Sequence, residues 1–292
     1  RFKVRVLARP SDKNRALLKK MAHPMLEVVW GDMADLDCVK RCVAGADYVL
    51  HIGAMVSPAA DKYPEKTLYT NIGSTLAIIK AIQEQPNADD IHLVYVGTVA
   101  ETGDRQYPVQ MGRCGDPINP SIHDYYAISK VFSEFAVFES GLKHWVSIRQ
   151  TGQYPTNEGA GEEPIIFHQP PNNVLEWSTS IESGICMANI CENWVPESFW
   201  RKAYNLSSGK GWRFTCWEFT NLMMEGMGMT FADTQDPRRM AQYNFHGHYF
   251  SDADALNDIL HFRCIDPKTY QQGIVDSMKA MMQNPMIAAM IP

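Results

Sequence analysis

The strongest constraint in this sequence is a regular alternation of apolar and amphipathic segments over residues 2–152. The apolar segments, which have the pattern of strands in a buried sheet, are FKVRVLAR, LEVVWGD, ADYVLHIGA, IHLVYVGT and HWVSIRQTG. The segments with a helical pattern are ALLKKM, ADLDCVKRCVAG, TNIGSTLAIIKAIQEQ and DYYAISKVFSEFAVFES. Strands and helices joined in this order by short connections favour a parallel sheet with helices on both faces. We therefore predict an α/β fold with a doubly wound parallel sheet.

The regularity weakens after residue 152. The segment YPTNEGAGEEPIIFHQPPNN, residues 154–173, is rich in proline and has the character of a long functional loop. Beyond it, SIESGICMANICENW and TCWEFTNLMMEGMGM are predicted helices and RKAYNLSS is one more strand. We predict a domain boundary near residue 153, with residues 174–208 returning to the first domain.

Composition excludes several classes of partner. The net charge of −6 is modest and no long run of lysine or arginine occurs, which argues against nucleic acid and anionic membranes. No apolar stretch approaches the roughly 20 residues of a membrane-spanning helix, and no signal-peptide pattern is present. The 7 cysteines lack a C-x-x-C motif, which is typical of reduced thiols in a cytoplasmic protein.

Histidines offer the one candidate metal cluster. His246 and His248 alternate with a glycine, and His261 follows further along the chain. Alternating histidines are more often hydrogen-bonded loop or strand residues than metal ligands. We predict no metal site.

The segment HDYYAISK, residues 123–130, places a lysine four residues after one of two adjacent tyrosines. On a helix Tyr126 and Lys130 share a face, whereas Tyr125 points about 100° away. A phenol beside an ammonium group has its charged form favoured, so its pKa falls toward a range useful for proton transfer. The alternative is an ordinary surface pair on an amphipathic helix, because this spacing alone is a weak signal.

Three further motifs support the catalytic interpretation. Thr98 ends the predicted strand VYVGT. The predicted strand before that one is YVLHIGA, and between the two strands Asn71 lies at the start of the predicted helix TNIGST. In this order the motifs resemble the extended short-chain dehydrogenase/reductase superfamily, in its NAD(P)-dependent epimerase/dehydratase-like branch. The resemblance covers nearly the whole chain and is strongest up to residue 152. It implies a Rossmann-like dinucleotide-binding domain at residues 1–153 and mainly a smaller substrate-binding lobe at residues 154–292.

The resemblance implies roles for four residues. Tyr126 would be the catalytic acid/base, and Lys130 would contact the nicotinamide ribose and lower the pKa of Tyr126. Thr98 would hydrogen-bond the substrate oxygen, and Asn71 would complete the catalytic set. The alternatives are a strand-end hydroxyl that caps backbone for Thr98 and a helix cap for Asn71.

The prediction of which dinucleotide cofactor the protein binds rests on Arg9. An acidic residue at the end of the second strand of a dinucleotide fold binds the ribose 2′-hydroxyl, whereas arginine suits a 2′-phosphate. Here the strand ends in VLAR, which favours NADP(H) over NAD(H), unless Arg9 is simply a solvated surface charge. By resemblance, Asp32 in WGDM approaches the adenine, its neighbour Met33 also belongs to the cofactor site, and Gly53 and Ala54 lie beneath the cofactor. His51, Gly53 and Ala54 in HIGA, together with Tyr126 and Lys130, complete the cofactor-binding set.

One departure from the family pattern is large. The family opens with a strand and a G-x-x-G-x-x-G turn that places the pyrophosphate on a helix N-terminus. This sequence begins at what corresponds to the second strand. We expect that roughly 25–30 residues, one strand–turn–helix unit, precede Arg1 in the natural protein.

The residues that follow Thr98 indicate which reaction of the family this protein catalyses. Sugar-nucleotide dehydratases of the family place Asp-Glu directly after that threonine, whereas Val99 and Ala100 stand here and Glu101 lies one residue further along. The segment NNVLEWSTSIES also lacks the arginine of many sugar-nucleotide enzymes, although Arg238 and Arg239 could hold a phosphate. We predict an oxidoreductase that acts on a ketone, aldehyde or secondary alcohol. The alternatives are a nucleotide-sugar epimerase and a catalytically silent nucleotide-binding protein.

Two helices carry more apolar surface than one sheet contact needs. Leu76, Ile79 and Ile82 recur at helical spacing in the first, and the second carries Phe132, Phe135 and Phe138. Extended members of the family often pair these helices across a two-fold axis. We therefore predict a homodimer that acts on a small-molecule substrate, with a broad core contact within one chain as the alternative explanation for the apolar surface.

Overall fold

A computed structural model of the chain describes residues 2–105, 107–154, 167–243 and 245–283. Residues 155–166, most of the predicted long loop, lie outside the described residues. The chain forms two compact units: the first unit is Arg1–Gly97, Ile122–Ile148 and Glu197–Ala203, and the second unit is Thr98–Ser121, Arg149–Pro196 and Tyr204–Pro292. The functional division at residue 153 stays a prediction.

Strands and helices alternate as the sequence pattern predicts. The strands are β1 (Val4–Ala8), β2 (Leu26–Trp30), β3 (Tyr48–His51), β4 (His92–Thr98), β5 (Met111–Gly112), β6 (His144–Gln150), β7 (Val174–Glu176), β8 (Lys202–Leu206), β9 (Arg213–Thr215) and β10 (Tyr249–Phe250). The helices are α1 (Asp12–Lys20), α2 (Leu36–Val43), α3 (Ala59–Lys62), α4 (Pro64–Gln83), α5 (Tyr125–Phe138), α6 (Ser180–Ile190), α7 (Cys216–Glu225), α8 (Phe231–Thr234), α9 (Asp254–Leu260) and α10 (Pro267–Met282). None of the helices in this part of the chain combines the length and hydropathy that crossing a bilayer requires.

The long strands form two separate sheets. β1 pairs in parallel with β2, with Val4 opposite Leu26. A 4-stranded sheet has the order β3-β4-β6-β8, and its β3–β4 pair is parallel. Within the described residues no strand joins β1 to β3, so each of these strands has one unpaired edge in the sheet order.

The core of the first unit forms where α4 packs on α2 and α5. Pro64 occupies the first turn of α4, where its missing N–H has no intrahelical partner to lose. Ile82 is fully buried in an apolar cluster with Leu93 and Val137. α2 is followed by Gly45 at φ +69°, a conformation that glycine adopts without steric cost and that ends the helix as predicted.

Helix α5 has one buried polar face and one exposed aromatic face. The Asp124 side chain caps its start by accepting a hydrogen bond from the Ala127 N–H at 2.8 Å. On the other face Phe132 and Phe135 are 58% and 46% exposed, whereas Phe138 packs on Trp145 with ring centroids 4.9 Å apart. The surplus aromatic surface predicted for this helix is therefore confirmed at Phe132 and Phe135.

The second unit is held by short strands and an aromatic cluster. β7 pairs antiparallel with β9, and β10 pairs in parallel with β5. Tyr154 and Trp212 are buried together, and the rings of Trp177 and Phe219 stack with centroids 4.2 Å apart. The sequence pattern does not predict β5, β7, β9 or β10, because strands this short show no periodicity.

A glycine in the second unit makes a close backbone approach. Gly103 has φ +73° and ψ −153°, a region open essentially to glycine alone. A Cβ at this position would lie 1.9 Å from the Asn119 carbonyl oxygen. The turn after the 3₁₀ segment Val99–Thr102 therefore requires glycine.

We expect Gly103→Ala to destabilise the protein by roughly 3 kcal/mol or more, because strain and a backbone clash act together. Gly228→Ala is the matched control, since Gly228 has φ +70° but a Cβ added there would meet nothing within 4 Å. It should cost only about 1 kcal/mol. Urea unfolding followed by tryptophan fluorescence measures both, and equal midpoints for the two variants would contradict the steric explanation.

Candidate active site

The two adjacent tyrosines at the start of helix α5, in the first unit, differ in exposure. Tyr125 is exposed, whereas Tyr126 is half-buried and Lys130 is only 2% exposed. Tyr126 and Lys130 both lie on α5, one helical turn apart, so the predicted spacing falls on a helix. The two tyrosines therefore differ in exposure, and the catalytic role of Tyr126 stays a prediction.

Lys130 is fixed between its own helix and strand β4. Its ammonium Nζ donates to the Val96 carbonyl at 2.5 Å and lies 4.1 Å from the centre of the Tyr95 ring. The Tyr95 hydroxyl donates in return to the Lys130 carbonyl at 3.0 Å. A buried ammonium requires such partners, and both a charge-assisted hydrogen bond and a cation–π contact are present.

Asn71 connects α4 to two neighbouring segments. Its side-chain oxygen accepts from the Met55 N–H at 2.7 Å, and its amide nitrogen donates to the Met55 carbonyl at 3.0 Å. The amide nitrogen also donates to the Ser129 hydroxyl at 2.8 Å. Both donors are engaged by the protein, which supports a positioning role. Direct participation of Asn71 in catalysis stays a prediction.

His51 lies inside the first unit, although the sequence groups it with the cofactor-binding residues. Its Nε2 is 3.0 Å from the Thr75 hydroxyl and 3.3 Å from the Ser74 hydroxyl. Burial lowers the pKa of His51 to about 3, and the Lys130 charge lowers it in the same direction. His51 is therefore neutral near pH 7, and its side chain contacts α4.

The predicted nucleotide residues follow the carboxyl ends of β1, β2 and β3. Pairing of β1 with β2 continues to the hydrogen bond from the Gly31 N–H to the Ala8 carbonyl at 3.0 Å. This brings the residues that follow the two strands, Arg9 and Asp32, to the same edge. Arg9 is exposed and has no side-chain partner among the described residues, which fits a phosphate-binding role.

Two of the segments predicted to bind the cofactor, residues 32–33 and 53–54, are near one another. The Asp32 carboxylate accepts from the Ala34 N–H at 2.9 Å and so shapes the turn after β2. A Cβ at Gly53 would lie 3.0 Å from the Met33 sulfur, so the segment Gly53–Ala54 passes close to Met33. Their contact with a dinucleotide stays a prediction. The described residues supply no glycine-rich turn for the pyrophosphate.

In the second unit Thr98 begins a 3₁₀ segment, Val99–Thr102, as its N-cap. The Thr98 hydroxyl accepts from the Ala100 N–H at 3.3 Å, and the Glu101 carboxylate accepts from the Thr98 N–H at 3.0 Å. These reciprocal bonds form a capping box. Capping was the alternative to a catalytic role for Thr98. In this cap the Thr98 hydroxyl oxygen accepts a hydrogen bond. The hydrogen of the hydroxyl has no acceptor among the described residues.

Glu101 is held in turn by Arg149. Glu101 is fully buried and Arg149 is 4% exposed, and Arg149 Nε lies 3.3 Å from Glu101 Oε2. Arg149 also donates to the Cys114 carbonyl at 3.2 Å. The sequence pattern does not predict this pair, because its members are far apart in the chain and only the fold brings them together.

The other charged candidates of the second unit have protein partners. His248 is buried, and its Nε2 lies 2.8 Å from the Thr102 hydroxyl; burial lowers its pKa to about 4. Arg238 binds the Asp236 carboxylate at 2.7 Å, and Arg239 lies over the Phe167 ring at 5.6 Å. In the described parts of the chain, no group of three or more histidine, cysteine or acidic side chains is arranged for a metal ion.

Comparison with known proteins identifies the family. The model of the NAD-dependent epimerase/dehydratase family matches residues 2–175. The chain is 26% identical over 187 residues to a 3 beta-hydroxysteroid dehydrogenase/Delta 5-->4-isomerase of Mycobacterium tuberculosis, a match that covers 60% of this chain and 47% of the relative. The chain thus spans about half the length of the curated relatives it matches.

Two solved structures show the same fold. A dTDP-glucose 4,6-dehydratase from Streptomyces venezuelae, crystallised with NAD, has a TM-score of 0.74 at 17% identity, over 97% of this chain and 88% of that chain. A UDP-glucuronic acid 4-epimerase from Bacillus cereus, also crystallised with NAD, has a TM-score of 0.70 at 11% identity, over 92% and 86%.

The chain therefore belongs to the NAD-dependent epimerase/dehydratase family. The predicted α/β, Rossmann-like fold of the extended short-chain dehydrogenase/reductase type is confirmed by the structural likeness.

Proposed function

We propose that the protein is an NADP(H)-dependent oxidoreductase that interconverts a ketone or aldehyde with the corresponding alcohol through Thr98, Tyr126 and Lys130. The observation that supports this best is the placement of Lys130. Its buried ammonium is fixed by Val96 and Tyr95 one helical turn from Tyr126. A fixed positive charge near a phenol favours the phenolate and so makes the proton easier to transfer.

In the proposed reaction the bound nicotinamide supplies or accepts the hydride. During reduction Tyr126 gives its phenolic proton to the carbonyl oxygen as the alkoxide forms, and the Lys130 charge stabilises the resulting phenolate. The Thr98 hydroxyl, which accepts from the Ala100 N–H through one lone pair, donates its own hydrogen to the same oxygen. During oxidation the protons move in the opposite direction.

The surroundings of Thr98 support redox chemistry over elimination of water. Val99 and Ala100 carry no proton to transfer, and the Glu101 carboxylate accepts from the Thr98 N–H and faces Arg149. Glu101 therefore replaces neither member of the acidic pair of the dehydratases. The hydroxysteroid dehydrogenase named among the relatives acts, by its name, on a hydroxyl-bearing substrate, which supports the alcohol and ketone class.

The second candidate is a nucleotide-sugar epimerase. The family name and the Bacillus cereus neighbour favour it. Arg238, one of two arginines proposed to hold a phosphate, already binds Asp236 in a bidentate manner. Full-length protein incubated with NADPH and a panel of ketones, hydroxysteroids and nucleotide sugars separates the candidates. Net oxidation of NADPH supports the reductase, and an epimerised sugar without net oxidation supports the epimerase.

The first prediction from this proposal concerns the tyrosine pair. Tyr126→Phe removes the transferable proton and keeps the ring, so we expect kcat to fall by at least about 10²-fold. Tyr125→Phe is the matched control and should cost far less, because Tyr125 lies on the exposed side of α5. Steady-state oxidation of NADPH measures both. Equal losses would show that Tyr126 has no special role, and NADPH binding without turnover in the unmodified protein would support the silent alternative.

Arg9 supports NADP(H) as the cofactor. Arg9 is exposed and follows β1 at the edge where Asp32 follows β2, and arginine binds phosphate in a bidentate manner. The neighbours crystallised with NAD support the alternative dinucleotide. The choice between the two is therefore the finer part of the proposal.

We expect Arg9→Asp to shift the preference from NADPH toward NADH, because the new carboxylate repels a 2′-phosphate and accepts from a ribose hydroxyl. Lys19→Asp, which makes the same change of charge at an exposed site in the same unit, should leave the preference unchanged. Fluorescence titration gives the two dissociation constants. An unchanged NADPH affinity in Arg9→Asp would assign Arg9 to the solvated surface.

We also propose a homodimer through α4 and α5. Leu76 on α4 is 52% exposed, and Phe132 and Phe135 on α5 are 58% and 46% exposed. These exposed apolar side chains lie on two helices that pack together, which supports an isologous contact through α4 and α5.

Light scattering of the full-length protein should report twice the chain mass. Phe135→Asp should shift the mass toward the monomer, because a charge would be buried in the contact. Ile181→Asp is the control, since Ile181 is 54% exposed on α6 in the other unit. A monomeric unmodified protein at micromolar concentration would refute the proposal.

A further inference from the structure

The Thr98 hydroxyl is held by a chain of contacts that ends at a buried ion pair. The hydroxyl accepts from the Ala100 N–H at 3.3 Å, and the Thr98 N–H is held at 3.0 Å by Glu101 Oε1. The other carboxylate oxygen of Glu101 lies 3.3 Å from Arg149 Nε. Every link in this chain belongs to the second unit.

Burial makes the pair costly to disturb. Glu101 is fully buried and Arg149 is 4% exposed, so neither charge is hydrated. A buried carboxylate without a cationic partner would be strongly destabilised. Arg149 therefore keeps Glu101 in the charged, acceptor-only form that binds the Thr98 N–H.

The backbone around Glu101 is fixed as well. The Glu101 carbonyl accepts from the Asn119 N–H at 3.0 Å, and Gly103 adopts a conformation open essentially to glycine alone. Arg149 is anchored at its other end by the Cys114 carbonyl at 3.2 Å. Glu101 thus has little freedom to move away from Thr98.

The bonding also polarises the hydroxyl. A hydroxyl that accepts from an N–H becomes a better donor, since hydrogen bonds in a chain strengthen one another. With one lone pair bound to the Ala100 N–H, the Thr98 hydroxyl is prepared to donate to an oxygen that gains negative charge.

We infer that Glu101 and Arg149 are positioning residues that orient the Thr98 hydroxyl as a hydrogen-bond donor to the substrate oxygen. This inference rests on the proposed function, in which Thr98 binds that oxygen. Both side chains are buried, so the inference assigns them an effect through Thr98 and no contact with substrate.

The test compares Glu101→Ala in two backgrounds of the full-length protein. In the unmodified background we expect kcat to fall about 10- to 100-fold with KM changed less than roughly threefold, because a small misplacement of a donor is costly. In a Thr98→Ala background the same change should have little further effect, since the group being positioned is gone. Equal losses in both backgrounds would overturn the inference and leave the proposed function intact.

Two further variants separate positioning from stability. Glu101→Gln keeps an acceptor for the Thr98 N–H but loses the charge opposite Arg149, so its kcat should lie between those of Glu101→Ala and the unmodified protein. Glu176→Gln disrupts another ion pair of a buried carboxylate in the same unit, in which the half-buried Arg213 has its Nε 2.7 Å from Glu176 Oε2. It should lower the unfolding temperature but not kcat, and a loss of kcat equal to that of Glu101→Ala would overturn the inference.

Amide hydrogen exchange gives a readout that needs no substrate. The peptide that contains Thr98 should exchange faster in Glu101→Ala and not in Glu176→Gln, because only the first variant removes the acceptor of the Thr98 N–H. Unchanged exchange in Glu101→Ala would overturn the inference whatever the activity. Thr98→Ala with unmodified turnover would instead refute the proposed role of Thr98, on which the inference rests.

Discussion

The first unit depends on the bonds made by one side-chain amide, that of Asn71. It holds the Met55 N–H, the Met55 carbonyl and the Ser129 hydroxyl at 2.7, 3.0 and 2.8 Å. Asn71 is 2% exposed, so a partner that moved away would leave a buried polar group unsatisfied, at a cost of about 1–3 kcal/mol. The loop after β3, helix α4 and helix α5 are therefore held together, and Ser129 lies between Tyr126 and Lys130 on α5.

The same unit buries one cation and keeps its neighbour neutral. Lys130 has a carbonyl and an aromatic face as partners, whereas His51 has the hydroxyls of Thr75 and Ser74. Burial and the Lys130 charge both lower the pKa of His51, so a second buried positive charge does not form near pH 7. The electrostatic effect of this site on a nearby phenol thus comes from Lys130 rather than from two competing cations.

Strands and helices with a clear hydrophobic periodicity could be predicted from the sequence. Contacts between residues that are far apart in the chain could not. The pattern of IHLVYVGT predicts β4, and the spacing of Tyr126 and Lys130 is visible because it lies within one helical turn. Helix α4 begins at Pro64, whereas the sequence pattern predicts a start at residue 70. The first turns of the helix lack a clear apolar stripe, so the pattern does not reveal them. Lys130 and Val96 are 34 residues apart, so no local pattern reports their contact.

The packing after Thr98 explains why the residue at position 99 is apolar. Val99 is 2% exposed in an apolar cluster with Leu175 and Phe250, and Ala100 is fully buried. An acidic side chain at position 99, where the dehydratases carry one, would place a charge among these apolar groups with no cation to pair with it in the cluster. The apolar residue is therefore required by its surroundings, and the carboxylate that does occur, Glu101, is committed to the Thr98 N–H and Arg149. At 17% identity the dehydratase neighbour shares the fold, whereas the side chains that follow Thr98 are set by the local packing of this chain.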